Sequence, residues 1–81
     1  MRLDKYLKVS RIIKRRTIAK EACEQNRVEV NGRTAKPGVD VIEGDIIKIT
    51  FGNSTLKVKV TKLTESCKKE DVDGMYEIIN D

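Results

Sequence analysis

Residues 14–25 decide the fold, and they read Lys14-Arg15-Arg16-Thr17-Ile18-Ala19-Lys20-Glu21-Ala22-Cys23-Glu24-Gln25. Three consecutive cations precede Thr17, a residue type that can cap a helix, and the segment that follows is compatible with a helix. A helix N-terminus offers unpaired backbone N–H groups and the positive end of the helix dipole. Cations beside such an end predict a phosphate-binding site. A Lys/Arg run is also typical of a solvated surface. The rest of the sequence is therefore needed to decide between a phosphate-binding site and an ordinary charged surface.

The residues before this run have the spacing of a short helix from about Leu3 to Val9. Its predicted core face consists of Leu3, Tyr6, Leu7 and Ser10, and a second stripe at three-residue steps consists of Lys5, Lys8 and Arg11. The predicted buried stripe of the second helix consists of Ile18, Ala19, Ala22 and Cys23. Asn26 follows at a place where a left-handed residue often ends a helix. With a short connection at 14–16, this pattern predicts a helical hairpin.

The rest of the chain has the alternation and turn signals of antiparallel strands. Arg27 to Ala35 predicts a β-hairpin around Asn31-Gly32, the strongest short turn signal. Strands are also predicted at 46–51 and 56–60, with a short extended link at 39–42. Residues 75–79 fit either a last strand or a short helix, and Ser66 could cap a helical turn over 68–72. The prediction is one α+β domain over 1–81, a two-helix hairpin packed on a small antiparallel sheet, with a core motif of about 1–49 and an extension over 50–81.

Charge is distributed unevenly along the 81 residues. Residues 1–36 carry eleven Lys and Arg against four acids, a net charge of +7, whereas residues 37–81 carry six Lys against nine acids, a net charge of −3. This separation predicts a localised face that binds a polyanion.

Several function classes are disfavoured by composition. The chain has no His, which removes the commonest general base and metal ligand, so we expect no catalysis and no cofactor. Cys23 and Cys67 have no metal-motif spacing; we predict a buried Cys23 and an exposed or half-exposed Cys67. No segment resembles a signal peptide or a membrane span, so a cytoplasmic protein is expected.

Four pieces of the sequence occur in the order of a known module: Arg2-Leu3-Asp4-Lys5-Tyr6-Leu7, then Lys14-Arg15-Arg16-Thr17-Ile18-Ala19, then Arg27-Val28-Glu29-Val30-Asn31-Gly32, then Glu43-Gly44-Asp45. Together they resemble the alpha-L RNA-binding motif first known from ribosomal small-subunit protein four. The stretch 1–17 further resembles a stand-alone subgroup, the ribosome-associated quality-control protein P family of Gram-positive bacteria. The fifteen-kilodalton heat-shock proteins of Gram-negative bacteria are related to it.

The resemblance implies a non-catalytic protein that binds rRNA of the large ribosomal subunit and peptidyl-tRNA. It also implies support for C-terminal alanine tailing of stalled nascent chains, beside a tailing factor on the same subunit. We expect a monomer. By the family's pattern, the predicted RNA contacts are Arg2, Lys5, Lys8, Arg11, Lys14, Arg15, Arg16 and Lys20. Asp4 is expected to be structural, capping a helix or pairing with a nearby cation, and Arg33 and Lys36 could extend the surface.

Three alternatives remain at this stage. One is a heat-shock-type factor that recycles obstructed large subunits, although the acidic end Asn80-Asp81 differs from the longer basic tail usual there. Another is the RNA-binding subunit of a separate RNA-modifying enzyme. The third is a DNA-binding module, which is disfavoured because the second helix exposes Glu21 and Glu24, and acids facing phosphate are unfavourable.

Overall fold

Two helices pack on one five-stranded antiparallel sheet in the computed structural model, which describes residues 1–63 and 74–79. This architecture confirms the predicted fold class. In chain order the elements are α1 (Leu3–Val9), α2 (Arg16–Glu24), β1 (Val28–Val30), β2 (Arg33–Thr34), β3 (Ile46–Phe51), β4 (Ser54–Val60) and β5 (Tyr76–Ile78).

The sheet has the order β2-β1-β3-β4-β5, and every neighbouring pair is antiparallel. The β1–β2 hairpin turns at Asn31 and Gly32, whose φ angles of 53° and 85° are both left-handed, as a tight hairpin turn requires. Asn26 ends α2 with a φ of 60°, as its position predicted. The turn chemistry of the sequence therefore determines the local folding of this half of the chain.

The core lies between the helices and one face of the sheet. Its fully buried side chains come from both layers: Leu3, Tyr6, Leu7, Ala19, Cys23, Val28, Val41, Ile47, Ile49, Val58, Val60 and Met75. The buried Tyr6 hydroxyl donates a hydrogen bond of 2.7 Å to the Met75 carbonyl, which joins α1 to the segment that enters β5. Cys23 is buried as predicted.

The start of α2 differs from the prediction. Thr17 is not the N-cap: Arg15 occupies that position with an extended φ of −121°, and Arg16 is the first helical residue. No side chain caps this end. From this first helical position Arg16 forms an ion pair with Asp4 of α1.

Ile18 was predicted to be buried, and this prediction is wrong because its side chain is 48% exposed. The buried face of α2 is centred on Ala19 and Cys23, and Ile18 lies about 100° around the helix from Ala19. Residues 76–78 form a strand, which decides between the two alternatives for this segment. The helical turn proposed for 68–72 and the exposure of Cys67 lie outside the described residues.

Candidate nucleic-acid interface

Asp4 joins two of the predicted RNA-contact residues, Arg2 and Arg16. Its carboxylate accepts hydrogen bonds from Arg2 Nε at 3.3 Å and from Arg16 Nε at 3.4 Å. It also accepts a hydrogen bond of 2.8 Å from the Lys5 backbone N–H. Asp4 is only 2% exposed, and a buried carboxylate is costly unless it is paired. The prediction that Asp4 pairs with a nearby cation is therefore confirmed, and the pairing joins the first turns of α1 and α2.

The surroundings of Asp4 also favour its ionised form. Burial alone would raise the pKa of this carboxyl group. The hydrogen bond from Arg16, the bond from the Lys5 N–H, and the charges of Arg16 and Arg2 together outweigh burial and lower the pKa below its ordinary 3.8. Asp4 is therefore a fixed anion at neutral pH, and it orients both arginines.

Arg2 and Arg16 remain accessible although they are held by Asp4. Their side chains are 54% and 51% exposed. A guanidinium group has five N–H donors, and in each case Asp4 takes the one on Nε. The Arg2 guanidinium also lies beside Gly38, where an added methyl group would be 3.8 Å from Nη2. Two oriented, half-exposed guanidinium groups can bind phosphate oxygens through their remaining donors.

The N-termini of the two helices differ in what they offer to an anion. At α1, the Leu3 N–H donates to the Val39 carbonyl at 2.8 Å, and the Asp4 N–H donates to the Pro37 carbonyl at 3.2 Å. At α2, the backbone N–H groups of residues 16–18 have no hydrogen-bond partner among the described residues. The second helix therefore keeps its N-terminal donors available beside the cations, while the first is closed by the loop at 37–41.

The remaining predicted contact residues lie along the same helical hairpin. Lys5 is half-buried, whereas Lys8, Arg11, Lys14, Arg15 and Lys20 are exposed. Lys20 lies one turn after Arg16 on α2, with Nζ 4.0 Å from a Glu24 carboxylate oxygen. The structure brings Arg2 and Arg16 together through Asp4, and it places the other cations on α1, on α2 or in the connection between them.

Sequence reasoning missed the contribution of residues 37–41 to this site. The Val41 N–H donates to the Met1 carbonyl at 2.8 Å, and Arg2 forms an isolated antiparallel bridge with Asp40. These contacts fix the chain at Arg2, where α1 begins. After the hairpin over Arg27 to Ala35, the sequence predicted only a short extended link at 39–42. The Pro37-Gly38 dipeptide indicates a tight loop. It does not indicate that this loop contacts α1.

Comparison with known proteins agrees with this geometry. The S4 domain family matches residues 1–47, which include both helices and the β1–β2 hairpin. The chain belongs to the S4 domain family.

Two kinds of protein are among its relatives. The chain is 58% identical over 81 residues to the RQC P-site tRNA stabilizing factor of Streptococcus pneumoniae, covering 100% of this chain and 92% of that protein. It is 35% identical over 68 residues to the heat shock protein 15 homolog of Aeromonas salmonicida, covering 84% of this chain and 52% of that protein. The trimeric structure of Vibrio cholerae heat shock protein 15 superposes with a TM-score of 0.89 at 28% identity, covering 98% of this chain and 81% of that one.

Two further observations concern the described residues only. No helix within 1–63 and 74–79 is long and apolar enough to cross a membrane. In the same part of the chain, no group of three or more acidic or Cys side chains is arranged to hold a metal ion.

Proposed function

We propose that this protein is a non-catalytic RNA-binding protein of the large ribosomal subunit that contacts rRNA and P-site tRNA. The observation that carries the proposal is the pairing of Asp4 with Arg2 and Arg16, which holds two half-exposed guanidinium groups beside the N-terminus of α2. The names of the most similar relatives support tRNA on the ribosome as the ligand. The proposed contacts are Arg2, Lys5, Lys8, Arg11, Lys14, Arg15, Arg16 and Lys20.

Folded RNA fits this face better than single-stranded RNA does. The major groove of an A-form helix is too deep and narrow for side chains to read, so proteins recognise phosphates, 2′-hydroxyls and shape. Proteins that bind single strands use stacking aromatic side chains. Tyr6, the only aromatic residue in either helix, is fully buried and hydrogen-bonded to Met75. Binding should therefore depend on phosphate positions and vary little with base sequence.

The finer role that we propose is in ribosome-associated quality control. In this role the protein would hold peptidyl-tRNA on a large subunit that carries a stalled nascent chain, and it would support C-terminal alanine tailing by a separate factor on the same subunit. We also propose that the protein is cytoplasmic and acts as a monomer. The support is the 58% identity to a factor named for this process.

Co-sedimentation with large subunits tests the proposed function. Purified subunits carrying a P-site tRNA are mixed with the parent protein, Arg16→Ala, Arg16→Lys or Lys62→Ala, and are then pelleted. Arg16→Ala should lower affinity more than tenfold, because a lost charge-assisted contact costs about 1.5–3 kcal/mol. Arg16→Lys should restore binding only partly, because Lys cannot form a bidentate contact.

Lys62 is exposed and lies outside the helical hairpin, so Lys62→Ala should bind like the parent. If Arg16→Ala pellets like the parent, or if Lys62→Ala is equally damaging, the binding face lies elsewhere. Circular dichroism of each variant controls for folding. Asp4 keeps Arg2 and the Lys5 N–H as partners in Arg16→Ala, so this variant is expected to fold.

A second candidate role is recycling of obstructed large subunits, as a heat-shock-type factor. The TM-score of 0.89 with Vibrio cholerae heat shock protein 15 favours it. A cell assay separates the two roles. Deletion of the gene should abolish alanine tails on a stalled reporter if the tailing role holds, and it should leave the tails while free obstructed subunits accumulate if the recycling role holds.

A further inference from the structure

The side chains of Asn31 and Asp45 join two turns that lie outside the proposed RNA-binding face. Asn31 Nδ2 donates to Asp45 Oδ1 at 3.0 Å, and Asn31 Oδ1 accepts from the Ile46 N–H at 2.9 Å. The second carboxylate oxygen of Asp45, Oδ2, accepts from the Ile42 N–H at 2.9 Å. We call these three hydrogen bonds the clasp. It connects the turn of the β1–β2 hairpin to the turn that precedes β3.

The clasp does more than close the β1–β2 hairpin. That turn already has a left-handed φ of 53° at Asn31 and a backbone hydrogen bond of 2.7 Å from the Asn31 N–H to the Ile46 carbonyl. No cation pairs with Asp45 among the described residues, so its carboxylate accepts only from neutral donors. One of these donors, the Ile42 N–H, lies outside the hairpin. The clasp therefore ties the hairpin to the segment that ends at Ile42.

Ile42 directly follows the loop at 37–41, which closes the N-terminus of α1. The backbone of this loop bonds to residues 1, 3 and 4, on both sides of Arg2. The Ile42 side chain is 64% exposed, so the backbone of Ile42 and not its side chain anchors this end of the loop. Asp45 holds both polar groups of that backbone, because its own N–H also donates to the Ile42 carbonyl at 3.2 Å. These contacts form a continuous path from the clasp to Arg2.

We infer that Asn31 and Asp45 are positioning residues for RNA binding, and that they act on the ligand through Arg2. The clasp holds the end of the loop at 37–41, the loop holds the backbone at Arg2, and Asp4 then orients the guanidinium group toward a phosphate of folded RNA. The inference rests on the proposed function and deepens it. Without the clasp, the loop has to be ordered when RNA binds, and this ordering cost lowers affinity.

Single substitutions in the clasp test whether its hydrogen bonds matter for binding. Asn31→Asp sets two carboxylates against each other, and Asp45→Asn sets two N–H donors against each other. Each should lower affinity for large subunits carrying a P-site tRNA by on the order of fivefold, because the loop loses its anchor. Asn31→Asp lowers the net charge by one and Asp45→Asn raises it by one, so a loss of affinity in both variants is not an effect of charge.

The double variant Asn31→Asp/Asp45→Asn restores the clasp with donor and acceptor exchanged. The carboxylate at position 31 accepts from the Ile46 N–H and from the amide at position 45, whose oxygen accepts from the Ile42 N–H. Asp also suits the left-handed position before Gly in such a turn. The double variant should bind like the parent. A double variant that binds no better than the single variants overturns the inference.

Glu43→Gln is the matched control for Asp45→Asn. Glu43 lies in the same turn, is exposed and has no side-chain contact among the described residues, and its replacement raises the net charge by the same amount. This variant should not lower affinity. A loss as large as that of Asp45→Asn would contradict a role for the clasp.

A double-mutant cycle shows whether the clasp acts through Arg2. Asp45→Asn is combined with Arg2→Ala and, separately, with Arg16→Ala, and affinity is measured at low salt, where weakened variants still bind. Asp45→Asn should cost less than about twofold in the Arg2→Ala background and keep its full effect in the Arg16→Ala background. Equal losses in both backgrounds overturn the inference, because a general loss of stability acts on both alike. All affinities are measured at a temperature at which circular dichroism shows every variant folded.

The same series separates this inference from the proposed function. If Arg2→Ala and Arg16→Ala lose binding while Asp45→Asn keeps it, only this inference fails. If all three variants bind like the parent, the proposed function fails as well.

Discussion

An acid at the centre of a proposed RNA-binding face looks unfavourable until its partners are considered. Asp4 is 2% exposed, so phosphate would meet the arginines around it and not the carboxylate. Its charge orients Arg2 and Arg16, which come from residues fourteen apart in sequence, and holds their Nε groups toward the protein interior. This arrangement lowers the entropy that two long side chains lose when they bind a ligand. The acid therefore assists binding by preorganising the cations.

The lowered pKa of Asp4 predicts a dependence of stability on pH. Pairing lowers the folded-state pKa below its ordinary 3.8, so the stabilisation is fully present above that pH and is lost as pH falls through the folded-state pKa. Asp4→Asn should lower the free energy of unfolding by about 1–2 kcal/mol at neutral pH, less than a fully buried charged pair because both arginines are half exposed. In urea titrations, the gap in the free energy of unfolding between the parent and Asp4→Asn should narrow as the pH falls below 3.8. A gap that stays constant or widens there would contradict the pairing.

Burial of Cys23 predicts an unreactive thiol. Desolvation, with smaller contributions from the charges of Asp4 and Glu24, raises its pKa to about 11. At pH 8 about one molecule in a thousand would carry the thiolate, which is the reactive form. In a Cys67→Ser background, iodoacetamide should label Cys23 slowly in native protein and quickly in urea, as followed by mass spectrometry. Rapid labelling of the native protein would show that Cys23 is accessible; the same background variant should bind large subunits like the parent.

For the secondary-structure elements, sequence patterns predicted correctly those features that depend only on residues near each other in the chain. The bounds of α1, the left-handed Asn26 and the Asn31-Gly32 hairpin follow from periodicity and turn chemistry, and the structure confirms all three. The start of α2 was misplaced at Thr17 because the prediction relied on a capping side chain, whereas α2 begins at Arg16 without one. The closure of the α1 N-terminus by residues 37–41 depends on contacts between distant parts of the chain. Periodicity correctly placed Ala19 and Cys23 in the core, but it could not show that Ile18 is exposed.

Only part of the candidate site could be predicted from sequence. The charge count and motif order identify a basic helical hairpin, and Asp4 as a partner for a nearby cation followed from the same reasoning. That Asp4 pairs with both Arg2 and Arg16 required the packing of the two helices. The positive φ of 63° at Arg11, just after α1, could not be predicted either, because its residue type gives no signal for it.

The hydrogen bond between α1 and the segment that enters β5 predicts a moderate loss of stability when the Tyr6 hydroxyl group is removed. The Tyr6 hydroxyl is buried and bonds to the Met75 carbonyl, which also accepts from the Thr61 N–H at 3.0 Å. Tyr6→Phe should therefore lower the free energy of unfolding by only about 0.5–1.5 kcal/mol, since the carbonyl keeps a partner. Urea unfolding measures this loss. Tyr76→Phe removes a hydroxyl group that has no hydrogen bond among the described residues, on a half-buried side chain, so it should change stability by less than about 0.5 kcal/mol.

Across the whole molecule, the separation of charge explains how a protein of modest net charge can bind a polyanion. The net charge is +4, but residues 1–36 carry +7 and residues 37–81 carry −3. The molecule measures 29 × 28 × 21 Å, whereas charges are screened over about 8 Å at physiological ionic strength. RNA near the helical hairpin would therefore experience mainly the local cations, and the acids elsewhere would weaken the attraction little.

This separation predicts a steep and local dependence of binding on salt. Each neutralised phosphate contributes about −0.7 to −0.9 to the slope of log affinity against log salt, so the slope should be about −4 to −5 if six of the eight proposed residues each neutralise one phosphate. Affinity for large subunits should be measured by filtration over a salt series at constant magnesium. The double variant Arg2→Ala/Arg16→Ala should reduce the magnitude of the slope by about 1.4–1.8, because it removes two contacts.

The control for the salt prediction is a second double variant that lowers the net charge as much as Arg2→Ala/Arg16→Ala does, but outside the helical hairpin. Lys59→Ala/Lys62→Ala removes two exposed cations from the acidic part of the chain, so net charge falls by two in both double variants. If binding follows local contacts, this control keeps the slope of the parent, whereas a response to overall charge would change both variants equally. A slope near zero for the parent would rule out a phosphate-binding face altogether. Equal slopes for the two double variants would show that Arg2 and Arg16 act only through net charge, and the role of Asp4 in orienting them would then have no consequence for binding.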